Sequence, residues 1–300
     1  MGIDWLVVAL SLGAALAFSL STTMKKASAG RVPDARESGA GGVAGFVRAT
    51  LRHPLWLAGL AADVVGLCLQ VVALHLGALA LVQPLLVSGL LFALLLRPRR
   101  AGRISRREAL WAVVLTGCLI AFLSLSGSIS GTQHAVAADR LPAVVAALAG
   151  VLVAGMCLFL AHRRVPAVTR AALIGVTVGA IYAATAALIK ATTDILGAHG
   201  LVTVVISWQL YALLALGGAG LFLTQLAFQA GPLTASLPAI STVDPLFSVT
   251  LGVLVYDEHL RRGPLGGLVL FALLLLLAAS VIQLGTIGAT EVRHTDVPAS

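Results

Sequence analysis

Apolar runs of roughly 18 or more residues recur along the whole 300-residue chain, separated by short polar stretches. Few folds tolerate this pattern. Inside hydrocarbon a backbone has no water to bond with, so each segment must close its own hydrogen bonds as a helix, or join a closed barrel. Uninterrupted apolar runs of this length favour the helix. Composition agrees, with 59% hydrophobic and 11% charged residues, against about 25% charge in a soluble domain. The sequence predicts an all-α integral membrane protein whose principal partner is the lipid bilayer.

Nine spans are expected: Ile3–Thr23, Pro54–Leu76, Leu79–Leu96, Ala109–Gly127, Leu141–Ala161, Val168–Lys190, Leu201–Phe228, Pro232–Val255 and Pro264–Ile287. Only Gly77-Ala78 separates the second and third, which predicts a tight hairpin. Residues 191–200 read as a short loop, and the polar end, 291–300, as a disordered tail. Cys68, Cys118 and Cys157 all lie inside apolar runs and read as small core residues rather than disulfides or metal ligands.

A net charge of +8 would suggest nucleic acid in a soluble protein. Here the basic residues sit in the loops, so they read as topology signals and no nucleic-acid partner is expected. Assigning loop 24–53 to the cytoplasm puts 16 of the 20 Lys and Arg residues inside. The cluster Arg97–Arg107 is then cytoplasmic and touches anionic lipid. With nine spans this places the N-terminus outside and the C-terminus in the cytoplasm of a cell-membrane protein. Trp5, Trp56 and Trp111 stand at span starts, where interfacial aromatics belong.

An internal repeat organises the chain. Residues 58–84 moved forward by 154 positions fall on 212–238, with ten of 27 positions identical. Gly66/Gly220, Gly77/Gly231 and Pro84/Pro238 are the informative pairs, because Gly and Pro fix backbone geometry. The first copy leaves the cytoplasm on the second span, and the other returns to it on the seventh. This predicts two inverted-topology repeats, 1–135 with four helices and 136–290 with five, and a substrate site between them near the midplane.

Two motifs resemble the drug/metabolite transporter superfamily. GPLTASLPAISTVDPLFSVTLGVLVYDEHLRRGPLGG, 231–267, resembles the penultimate helix of EamA-type proteins, ending at Glu258 before a Gly-bearing last helix. Lys25-Lys26, Trp56, Gly59, Gly66 and LVQPL at 81–85 resemble the NIPA branch, described as magnesium transporters with nine spans. Where that branch has Gly-Glu and then Asn, this chain reads Gly66-Leu67 and Gln70, with Asp63 one helical turn earlier. The resemblance implies a secondary transporter.

Asp63 and Asp244 are the acids deepest in apolar spans. A charge there costs about 2.5–3.5 kcal/mol on insertion scales, so each should be paired or face a cavity. Asp63, Gly66 and Gln70 share one helix face. Pro245 after Asp244 removes a backbone donor and frees a carbonyl that suits a cation. Gln83, Gln209 and Gln225 complete the candidate pathway, while His75 and Gln229 beside the turns read as local caps. Lys190 and Asp194 read as an interfacial pair, Glu258 as an acid reaching water from a helix end, and Gly175/Gly179 as a packing motif.

The metal ligands, if any, are not defined by spacing. No phosphate loop, paired metal-ligand motif or nucleophile triad occurs, so no cofactor, enzymatic activity or ATP-driven pumping is expected. The substrate alternatives are a divalent cation such as magnesium and a small organic metabolite or drug. A non-transporting membrane scaffold is the third reading, and homodimerisation is left open.

Overall fold

The computed structural model describes residues 5–29, 54–96, 105–126, 154–163, 165–231, 233–256, 258 and 264–295. Among these, every regular element is a helix. They are α1 (Trp5–Ala29), α2 (Pro54–Leu76), α3 (Leu79–Leu86), α4 (Gly89–Leu95), α5 (Arg106–Ser126), α6 (Ala167–Ile206), α7 (Trp208–Ala230), α8 (Leu233–Val255) and α9 (Pro264–Thr295), with a helical stretch at 154–162. Pro54 and Pro264 open their helices, where a missing N–H costs nothing.

Among the described residues six helices are long and apolar enough to cross a membrane, matching expected spans one, two, four, six, seven and eight. Spans three and nine correspond to shorter apolar stretches, Leu79–Leu95 and Leu268–Leu284. Span five falls largely outside the described residues, as do loop 24–53 beyond its first residues, Arg97–Arg103 and Asp257.

Four boundaries differ from expectation; span seven, expected from Leu201, begins as α7 only at Trp208. Span three is broken at Val87-Ser88 into α3 and α4, just past Pro84, which lies inside α3 and deprives the Ala80 carbonyl of its helical donor. The expected loop 191–200 is helical, because α6 continues to Gly200, whose φ of 80° is the actual break. The polar C-terminal stretch stays helical as far as Thr295.

Large apolar side chains are exposed on the outer faces, including Val64, Val65 and Leu67 of α2 and Leu214, Leu221 and Phe222 of α7. In a helix pair that faces lipid these are solvated side chains. Cys118 is buried and Cys157 partly buried, but Cys68 is exposed on the same outer face of α2, so the core role holds for Cys118 and not for Cys68. Several helix hydroxyls bond back to their own helix: Ser11, Thr22, Thr185 and Ser280 each lie within hydrogen-bond distance of the carbonyl four residues back.

The principal interfaces are α1 on α2, α6 on α7 and α8, and α5 on α9. Small residues set them. A methyl on Gly66 would stand 2.8 Å from the Phe18 ring of α1, and one on Gly220 would stand 2.8 Å from the Tyr182 ring of α6. Gly77 lies against Val7, and Gly231 against Ala167 and Ala171. Gly89 lies against Ala15 and Ser19, and Gly179 against Val243. Phe18/Tyr182, Val7/Ala171 and Ala15/Gly179 are each 164 positions apart, while Gly66/Gly220, Gly77/Gly231 and Gly89/Val243 are each 154 apart. Three close approaches made by α1 in the first half are thus made again by α6 in the second. In the third the glycine has changed sides.

Candidate functional site

The break between α2 and α3 creates an electrostatic problem. The last carbonyls of α2 and the first amides of α3 lack intrahelical partners. Ala78, the extended residue before α3, provides no side-chain cap. Two side chains from the second half of the chain fill the gap. Lys190 of α6 donates from Nζ to the carbonyls of Leu74 at 3.1 Å and Gly77 at 2.6 Å. The Glu258 carboxylate, just past α8, accepts from the Leu79 amide at 2.6 Å and the Ala80 amide at 2.8 Å. A cation therefore meets the negative end of α2 and an anion the positive end of α3. Both are sealed from solvent, Lys190 at 3% and Glu258 at 2% exposure.

The surroundings enforce this arrangement. Gly252 admits the carboxylate, because a side chain there would collide with Glu258 Oε2. Tyr256 is fully buried, donates to the Ala187 carbonyl at 2.6 Å and sets its ring 5.5 Å from Lys190 Nζ. Leu74, Leu79, Val82 and Phe122 pack around the cluster as its apolar core. His75 Nδ1 lies 3.8 Å from Asp194 Oδ1, and the half-exposed imidazole marks the edge of the cluster toward the surface. Charges so enclosed bond strongly, and separating them exposes costly groups on both sides.

This corrects one expectation and adds to another. Glu258 does not reach water but is buried on backbone amides 179 and 178 positions away. Lys190, expected to pair with Asp194, is buried and also reaches backbone of the first half.

The residues expected to form one pathway are spread over several elements. Gly66 is buried against Phe18 and reads as packing. Asp63 and Gln70 are half-buried on the same helix. Asp244 lies on α8, where Ser248 Oγ donates to its Oδ1 at 3.3 Å, followed by the buried Pro245. Helix α2 packs chiefly on α1, and α8 on α6, so Asp63 and Asp244 stand on helices with different principal partners. Gln83 is buried on α3, and α3 packs along α8. Gln209 is half-buried at the very start of α7 and so is distant from the middle of that helix. The Gln225 and Gln229 side chains lie outside the described residues. Gly175 and Gly179 act as expected, admitting Ser236 and Val243 of α8 against α6.

Among the described residues no three His, Cys, Asp or Glu side chains come together to hold a metal ion. The signal for the cluster was present in the sequence: one lysine inside a long apolar stretch must find partners.

No protein-family model matches the chain, and no solved structure matches it. The chain is similar to a protein of Corynebacterium glutamicum described as uncharacterized, with 33% identity over 212 residues that cover 70% of this chain and 72% of that protein.

Proposed function

The chain belongs to the same family as the Corynebacterium glutamicum protein, and from the packing of its two halves we propose that it is a secondary membrane transporter of the drug/metabolite type that moves a small solute by alternating access. One observation carries this reading. The turn at Gly77 is held by Lys190, whereas the equivalent turn at Gly231 lies against Ala167 and Ala171 of the same helix. The nineteen residue-to-residue rises of α6 from Ala171 to Lys190 correspond to about 28 Å of helix, close to the thickness of a bilayer's hydrocarbon. Two units with matching contacts, and with their turns at opposite ends of one spanning helix, support an inverted repeat. The distribution of Lys and Arg supports an outside N-terminus and a cytoplasmic C-terminus.

Alternating access needs contacts between the halves that form at one face and release at the other. Lys190 and Glu258 are such contacts at the Gly77 face. The solute reading has two branches, a divalent cation such as magnesium or a small organic metabolite or drug. Asp63 and Asp244 are the carboxylates proposed for the ion or proton that accompanies it. Flux into vesicles reconstituted with the purified protein separates the readings. A magnesium indicator inside the vesicles tests the first branch, and labelled amines, amino acids and organic anions test the second. Asp63→Asn and Asp244→Asn should each reduce flux, and unchanged flux in both removes them from the pathway. No flux of any solute favours the membrane scaffold.

A further inference from the structure

A cavity of about 460 Å³ opens at the Gly231 end, away from the Lys190 cluster. Three helical walls line it, and each shows the same change of character with depth. His162 and Leu158 stand on the stretch 154–162, Arg170 and Ile174 on α6, and the Ala230 carbonyl and Leu226 on α7. In every pair the polar group is at the helix end and the apolar side chain one turn inward, about 6 Å deeper. The Arg170 guanidinium is fixed by an Nη2 bond of 3.1 Å to the Ala230 carbonyl. That uses one of five donors, leaving the rest of the fork for an anion. Arg163, with its guanidinium 4.5 Å above the Phe159 ring, adds positive charge nearby. None of the described residues lining the cavity is an acid.

We propose that this cavity binds an anionic phospholipid, its headgroup phosphate on Arg170 and His162 and its glycerol and upper acyl chain against Leu158, Ile174 and Leu226. A free phosphate would need only the cationic mouth, whereas the apolar layer beneath matches a lipid held in its normal bilayer orientation. Basic pockets between membrane helices take lipid headgroups by this combination of charge and depth. The inference does not depend on transport.

The test is the thermal unfolding midpoint of the full chain in neutral detergent, with phosphatidylglycerol, phosphatidylcholine or inorganic phosphate added. Phosphatidylglycerol should raise the midpoint, and phosphatidylcholine and inorganic phosphate should not. Arg170→Gln should abolish most of the rise, while Arg163→Gln, outside the lining, should keep most of it. Arg170→Gln also removes the α7 cap, so Leu226→Trp, which fills the apolar layer without touching that cap, is the second variant and should abolish the rise as well. An equal rise with phosphatidylcholine overturns the charge requirement, and an equal rise with inorganic phosphate overturns the lipid assignment. A phosphatidylglycerol rise that survives Leu226→Trp overturns the site.

Discussion

Lys190 carries a charge into a layer where an ammonium without partners is expensive, and its two acceptors are the carbonyls that α2 cannot satisfy for itself. Lys190→Met keeps the length of the side chain and removes the donor. It leaves two carbonyls unpaired and Glu258 without the opposite charge across the break. Breaking a buried charged contact of this kind costs about 3–5 kcal/mol, which should appear as a large fall in the unfolding midpoint of the solubilised protein. Glu258→Gln should cost less, about 1–3 kcal/mol. One amide oxygen still accepts from Leu79 or Ala80, but an NH2 group then faces the other backbone N–H. The double variant should lose less than the two single losses added, because both residues hold one turn. Strict additivity would show that the two caps act independently. The sequence made Lys190 conspicuous but not its target. Its acceptors lie 116 and 113 positions away, at a helix end whose orphan carbonyls cannot be located before the fold is known.

At the level of the helix, α7 offers an internal comparison. A methyl at Gly220 would press on the Tyr182 ring at 2.8 Å, and one at Gly231 on the Ala167 carbonyl, whereas Gly217 and Gly218 have nothing within 4 Å among the described residues. A backbone oxygen cannot rotate away as an aromatic ring can. Gly231→Ala should therefore lower the unfolding midpoint most, and Gly220→Ala by a smaller amount. Gly217→Ala should be neutral or stabilising by up to about 1 kcal/mol, since alanine is the better helix former. Equal effects at Gly217 and Gly231 would mean that α7 does not approach α6 as described. Helix ends at Leu76 and Val255 were legible because glycine or polar residues follow long apolar runs. The break at Val87-Ser88 and the continuation of α6 past Lys190 were not. Both occur where local composition barely changes, and both are decided by neighbours: α3 must turn beneath α8, and α6 must extend to meet His75 at Gly197.

For the whole molecule, the paired glycines were visible in the sequence, and the contacts at Phe18 and Tyr182 show what a larger side chain at Gly66 or Gly220 would meet. What one sequence could not give is which end of the molecule joins the halves, because that depends on side chains distant in the chain meeting at one turn. The arrangement makes a reciprocal prediction about access. In a background with Cys68, Cys118 and Cys157 replaced by serine, His75→Cys and His162→Cys should react with a membrane-impermeant maleimide from opposite faces, since each exposed side chain stands at a different end of α6. Ala78→Cys, half-buried in the clamped turn, should react slowly, and adding Lys190→Met should speed it by releasing the turn. If the halves rock about a shared centre, opening this face must close the other. Ala161→Cys, buried at the opposite end, should then react more slowly in the same Lys190→Met protein. Faster reaction at both positions would indicate general loosening, and a change at Ala78 alone would indicate a local cap. Only opposed changes fit two halves that exchange their closed face.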